Sequence, residues 1–300
     1  SLLYATKENA PLWSFEEKWL PAGDSLFRLV DQARLYGLFP DDYHFTHIKT
    51  LRERFSADSM AKGDRKDALL WAKADVLLTD AFVQLLRDVK LGRLPNESIT
   101  LRRDSVLSDD FFKEKLAQLQ SSSGNITAIV SALEPSHKGY HLLKQGIPGF
   151  LARADNRPFT IVPARTAPGF AQALQKRLFE GGYIAFDSVR ADSAQLADAV
   201  KKFQKEKNIT VDGVPGEGTL RMLNTSDQEK FIRIAISMDK YKMLPEKMPS
   251  RYIWVNASSN YLEVVDNGEV KLTSKVICGK AKTRTPVLTS LVSSLITYPQ

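Results

Sequence analysis

Apolar residues recur at helical spacing through roughly the first 160 positions of the chain. Leu26, Leu29, Val30 and Ala33 share one face of a 3.6-residue period, which predicts a helix. Asp24-Ser25 reads as its cap, Gly37 as its end, and Pro40 as a block to its return. A longer helix is predicted from Asp67 to Val89, with Leu69, Ala72, Val76, Val83 and Leu86 as its apolar stripe and Gly92 and Pro95 closing it. Asp110 to Gln120 reads as a short helix, Ser121 to Gly124 as a loop, and Pro135 to Lys144 as a helix ended by Gly146 and Pro148.

A second unit spans residues 167–224. Phe170, Leu174 and Leu178 mark one helix; Leu196, Val200 and Phe203 mark another that Asp192 or Ser193 can cap. Asp212-Gly213-Val214-Pro215-Gly216-Glu217-Gly218-Thr219 follows, then Leu220 and Leu223. Glycines there permit positive φ, and an Asp carboxylate can accept from free backbone N–H groups. Asp212, Gly213, Gly216 and Thr219 therefore read as mainly structural, with Thr219 near the start of a last helix. A connecting helix over 227–244 carries Phe231, Ile234, Ala235, Met238 and Tyr241 or Lys242 on one face, before Pro245 and Pro249.

Beyond residue 250 the period changes to that of strands. Tyr252 to Asn256, Tyr261 to Asp266, Val270 to Cys278 and Val292 to Tyr298 are the predicted strands. Asn267-Gly268 is a strong hairpin signal between two of them. The fold class expected is multidomain α+β: a helical scaffold over 1–166, a three-helix module over 167–224, a connecting helix over 225–250, and part of a β-sandwich over 251–300.

Composition changes this picture little. Hydrophobic content of 43% suits a packed globular chain, and no apolar run approaches the roughly 18 residues of a membrane span. No signal peptide is seen, and the chain begins at Ser1 without Met, so any export signal or membrane anchor is expected upstream. A formal charge of +7 favours an anionic partner, yet Lys and Arg are dispersed and no nucleic-acid motif occurs. Cys278 is the only cysteine, which excludes an internal disulfide and a cysteine-based metal site.

Three phrases carry a family resemblance. ARLYGLFPDDYH (33–44), DVLLTDAFVQLLRDVKLGRL (75–94) and EPSHKGYHLLKQGI (134–147) resemble the helical domain of large Gram-negative L,D-transpeptidases of the YcbB type. The pattern LQKRLF…GY…AVKKFQKEKNITVDGVPGEGT resembles the three-helix peptidoglycan-binding module found beside many wall enzymes. FIRIAISMDKYKMLP and RYIWVNASSNYLEVVDNGEVKLTSKVICGKAKTRTP resemble the approach to, and the opening strands of, a YkuD-like catalytic domain. Thr285-Pro286 and Tyr298-Pro299 fit phrases of that domain as well.

The resemblance implies a periplasmic enzyme that cross-links peptidoglycan stem peptides through a cysteine acyl-enzyme, with no metal or cofactor. It implies a ligand groove in the module, for which Arg177 and Tyr183 are the candidates. The family's cysteine and histidine lie in a segment like HGT…SHGC(I/V)R, and these 300 residues contain none. No catalytic residue is therefore assigned, and the chain by itself is expected to be inactive.

Cys278 reads as a small buried strand residue, because no histidine or cation is placed to activate it. A zinc peptidase would draw on His44 and His47, or on His137 and His141, but HKGYH (137–141) contains no acidic third ligand or general base of the HExxH kind. No acidic pair is singled out as a glycosidase would require. The alternative function is a non-catalytic peptidoglycan-binding or scaffolding protein of the cell envelope.

Overall fold

The structure is a computed structural model that describes residues 2–5, 8, 10–16, 18–58, 68–94, 106–121, 124–186, 191–280, 282–283, 285 and 290–293. Among these, α1 (Leu2–Ala5) leads to a ribbon of β1 (Ser14–Phe15) and β2 (Lys18–Trp19), then α2 (Pro21–Asp31). Two 3-10 turns, Ala33–Tyr36 and Pro40–Tyr43, precede α3 (Phe45–Asp58), α4 (Ala68–Leu91), α5 (Asp109–Gln120) and α6 (Ile126–Ser131). Next come α7 (Lys138–Arg153), α8 (Phe170–Glu180), α9 (Ser193–Glu206), α10 (Glu217–Leu223) and α11 (Asp227–Lys242). Strands β3 (Arg251–Asn256), β4 (Tyr261–Asp266) and β5 (Glu269–Lys275) form an antiparallel sheet in the order β3-β4-β5. The expected class, mainly helical with a small β part, is the one observed.

The described chain forms two compact units, Ser1–Pro148 with Ile234–Gln300, and Gly149–Arg233. In the first, α4 is the central helix. Its buried positions are Ala74, Asp75, Leu78, Thr79, Ala81, Phe82, Leu85, Leu86, Asp88 and Val89, packed with Trp13, Leu26, Leu29, Val30, Leu38, Tyr43 and Ile48. This corrects the predicted stripe: Leu69 and Val76 are 77% and 57% exposed. The inward face was masked in the sequence because it includes two aspartates. Each has partners that offset its desolvation. Asp75 accepts from Leu12 N (3.0 Å), Trp13 N (2.9 Å) and the Tyr4 hydroxyl (2.8 Å). Asp88 accepts from the Tyr43 hydroxyl (2.9 Å).

The end of α4 is built by α11. Lys242 Nζ donates to the Asp88 carbonyl (3.0 Å) and pairs with Asp239 (3.2 Å). A cation at the last helical turn complements the carbonyl dipoles there. Asp239 in turn accepts from Arg93 N (2.7 Å) and Leu94 N (2.6 Å). Gly92 turns left-handed between them with φ +81, and a Cβ at that position would sit 3.0 Å from both Asp239 carboxylate oxygens.

Other expected boundaries shift for local reasons. α2 begins at Pro21 with Leu20 as its cap, so Asp24 lies in the first turn and not at the cap; proline's fixed φ suits a first helical position. Gly37 (φ +70) closes the following 3-10 turn and not α2. Ser108 caps α5 by accepting from Phe111 N. α7 continues through Gly146 and Pro148 to Arg153, where the sequence predicts an end at Lys144. Proline removes one helical hydrogen bond but its φ is helical, and Tyr140 and Ile147 hold the helix by burial. α11 ends at Lys242, two residues before the predicted limit.

In the second unit α8, α9 and α10 surround Val162, Leu174, Leu178, Ala199, Val200, Phe203 and Leu223. Asp192 caps α9 in a full capping box with Gln195. The preceding segment is fixed to the helices by paired bonds. Asn224 accepts from Val162 N (2.9 Å) and donates to Val162 O (2.8 Å), while Glu180 accepts from Thr160 N (2.8 Å) and its hydroxyl (2.6 Å).

In the C-terminal sheet, Asn267 (φ 51) and Gly268 (φ 81) make the two-residue turn between β4 and β5. The pairing Ile253↔Val264↔Leu272 and Val255↔Leu262 collects apolar residues on one face. Ile253, Val255 and Leu272 on that face are 47%, 50% and 56% exposed. β5 ends at Lys275 and not at Cys278, because Lys275 pairs with Tyr261, the first residue of β4. Val276 N adds one bond to Asn260 O (2.9 Å). Of the strand predicted over 292–298, residues 292 and 293 are not in a strand, and 294–298 lie outside the described residues, as do Pro286 and Tyr298-Pro299.

Candidate functional site

The turn between α9 and α10 is organised by one buried side chain, Gln204, at 1% exposure. Its Oε1 accepts from Asp212 N (3.1 Å) and Gly213 N (2.9 Å). Its Nε2 lies within bonding distance of Asp212 Oδ1 (2.8 Å), Val214 O (3.1 Å) and Thr219 Oγ1 (3.2 Å). Asp212 also accepts from Val214 N (2.8 Å). That N–H bond, with the Gln204 amide, holds the Asp212 carboxyl below its usual pKa.

The four motif residues have distinct places. Gly213 takes φ +74, and a Cβ there would meet the Lys201 side chain at 3.0 Å and Ala197 O at 3.2 Å. Gly216 has an ordinary negative φ of −71 and caps α10. Thr219 is buried in the first turn of α10. Sequence reasoning missed Gln204 because a glutamine after Phe203 reads as a solvated helix residue. The one available signal was its place between Val200 and the turn glycine, on the edge of the apolar face.

Arg177 and Tyr183 are both engaged within this unit. Arg177 Nε donates to Leu223 O (2.8 Å), and its guanidinium lies 4.2 Å from the Phe159 ring centroid. Burial pulls its pKa down. The Tyr183 hydroxyl donates to Glu206 (2.6 Å), and its ring meets Phe203 edge-on. Burial and then Glu206 raise the Tyr183 pKa.

The nucleophile and metal candidates each have their own surroundings. Cys278 is half-buried beyond β5, beside a shallow depression lined with Ser259, Tyr261 and Lys275. It is therefore not the enclosed strand residue expected from sequence. His44, left-handed at φ 62, bonds Asp80 (2.7 Å). His137 bonds the Pro245 carbonyl (3.0 Å), and His141 packs edge-on against Tyr140. Among the described residues no three His, Cys, Asp or Glu side chains are grouped to hold a metal ion.

Comparison with protein families finds two matches along the chain. Residues 1–147 match the scaffold domain family. Residues 170–223 match the family described as a putative peptidoglycan binding domain. No curated protein matches the chain. The Gln204 turn thus lies within the residues that match the peptidoglycan-binding family, and α4 with its buried aspartates within those that match the scaffold family. The chain has a peptidoglycan-related role, and its binding domain implies association with the cell envelope. Among the described residues no helix is long and apolar enough to cross a membrane.

Proposed function

We propose that this chain is the scaffold and wall-binding part of a peptidoglycan L,D-transpeptidase of the YcbB type, working in the Gram-negative periplasm. The observation that carries the reading is order along the chain. A scaffold domain is followed by a peptidoglycan-binding domain, and both precede an antiparallel sheet with an exposed apolar face. Strands β3 to β5 are read as the opening of the catalytic domain, whose further strands would cover Ile253, Val255 and Leu272. In the reaction, a cysteine thiolate attacks the L,D bond of a tetrapeptide stem and D-alanine leaves. The amine of a neighbouring stem then takes the acyl group. No cofactor enters this chemistry.

The scaffold and binding domains would position the stem peptides, with Tyr183 and Arg177 proposed at the ligand face of the module. Peptide mapping of the native protein tests the reading. A segment of the SHGC kind joined to Gln300 supports it, and a native protein without one overturns it.

The second reading, a non-catalytic wall-binding protein, is favoured by the placement of Cys278. It lies beyond β5, and the four histidines lie far from it in sequence, at positions 44 to 141. The 300-residue chain incubated with disaccharide-tetrapeptide should release no D-alanine. Turnover abolished by Cys278→Ala would show that this cysteine is the nucleophile after all.

A further inference from the structure

We propose that the peptidoglycan-binding domain recognises the carboxylates of the stem peptide, and not the glycan strand, on the surface formed by Lys201 and Lys205 of α9 and by Val211 and Val214 of the adjoining turn. The inference rests on the reading of residues 170–223 as a wall-binding module and adds to it a ligand class and a further contact surface, besides the face proposed for Tyr183 and Arg177. Lys201 and Lys205 stand four residues apart, so their side chains share one helix face. Both are exposed. Lys205 has no acidic partner among the described residues, and Lys201 meets only Asp198, at a loose 3.4 Å. Its methylene stem lies along Gly213, which ties the lysine to the turn.

The turn is a rigid support. Gln204 is hydrogen-bonded to Asp212, Gly213, Val214 and Thr219 from beneath. Above it, Val211 and Val214 are 51% and 41% exposed, and the Val214 backbone is bonded to Asp212 and Gly216. The acid beside them, Asp212, has its carboxylate turned to Val214 N and Gln204. The surface therefore offers two exposed cations beside two small apolar side chains on a hydrogen-bonded turn. A stem peptide presents free carboxylates flanked by alanine methyl groups, which suits a surface of cations beside small apolar side chains. A glycan strand of N-acetylated sugars presents hydroxyls and amides, whereas the buried polar groups beneath this surface, Gln204 and Thr219, are already bonded to the turn and to each other, and neither Val211 nor Val214 offers a sugar an aromatic face.

The test uses the full 300-residue chain and three matrices at one moderate ionic strength: native sacculi, sacculi with carboxylates amidated through carbodiimide, and chitin. The expected result is retention on native sacculi, retention weakened about fivefold or more by amidation, and little on chitin. An exposed charge pair contributes a factor of about two to five. Lys201→Met with Lys205→Met keeps the methylene over Gly213 and removes both charges. It should weaken binding to native sacculi about five- to tenfold and abolish the sensitivity to amidation. Lys138→Met with Lys176→Met removes the same charge elsewhere and should bind as wild type. Unchanged binding by the Lys201/Lys205 variant, indifference to amidation, equal retention on chitin, or an equal loss in the control variant would each overturn the proposal while leaving wall binding intact. Failure of the wild type to bind native sacculi would instead overturn the reading of the module itself.

Discussion

Replacing Gln204 with leucine should loosen the binding module and leave the scaffold untouched. Leucine matches the glutamine in size but removes both of its polar functions. Asp212 N is at the surface and can turn to water, and Val214 O keeps its bond from Gly216 N (2.8 Å). Gly213 N and Thr219 Oγ1 are the groups left stranded, in residues that are both buried. At about 1–3 kcal/mol for each unsatisfied buried group, less a partial gain from the apolar side chain, the net loss is about 2–4 kcal/mol. That raises the opened fraction of the module roughly 30- to 1000-fold. Tryptophan fluorescence would not see this, since Trp13, Trp19, Trp71 and Trp254 all lie outside residues 149–233. Native-state hydrogen exchange reads it directly. Protection in α9 and α10 should fall by at least about 30-fold, while that in α4 holds. Protection of α9 and α10 within threefold of wild type would refute the view that Gln204 organises the turn.

Gly92→Ala should destabilise the scaffold unit by about 1–3 kcal/mol in urea titration followed by tryptophan fluorescence, because φ +81 and the Asp239 carboxylate both oppose a Cβ. Asp75→Ala strands the N–H groups of Leu12 and Trp13 and should cost about 2–5 kcal/mol in the same titration; a loss below 1 kcal/mol would mean that water replaces the carboxylate. The two units should also differ in pH response. In residues 149–233, the Arg157 side chain holds Asp155 at about 2, Val214 N lowers Asp212, and Lys207 lowers Glu206. Folded values below unfolded ones give stability that is present above about pH 4 and lost as pH falls towards 2. Tyr4, Tyr43 and Tyr140 of the other unit are raised chiefly by burial, so their contribution is present below about pH 10 and is lost above it. Hydrogen exchange across pH should show α8–α10 opening first in acid and α2–α4 opening first in alkali.

Helix positions were readable where apolar periodicity and caps agreed, as in α8 and α9 with Asp192. The inward face of α4 was not, because Asp75, Thr79 and Asp88 interrupt the apolar pattern and find partners 45 to 75 residues away in sequence. Local reasoning has no access to such partners, so it assigned Leu69 and Val76 to the core instead. The same limit hid Gln204 and the pairing of Asp239 with Arg93 and Leu94. The Asn267-Gly268 hairpin was readable because its geometry is set by two adjacent residues. The end of β5 was not, since it depends on where β4 begins. The turn motif identified the module, while the surface lysines beside it gave no local sign of a shared site.

The account rests on residues 170–223 being what holds this protein to the wall. Retention on purified sacculi at moderate salt, compared between the 300-residue chain and the same chain with 170–223 replaced by a Gly/Ser linker, tests this most directly. The account predicts that the intact chain is retained and that the replaced chain, with its scaffold still folded by tryptophan fluorescence, passes into the supernatant. Equal retention of both would contradict it and would assign the binding to the general positive charge of the chain.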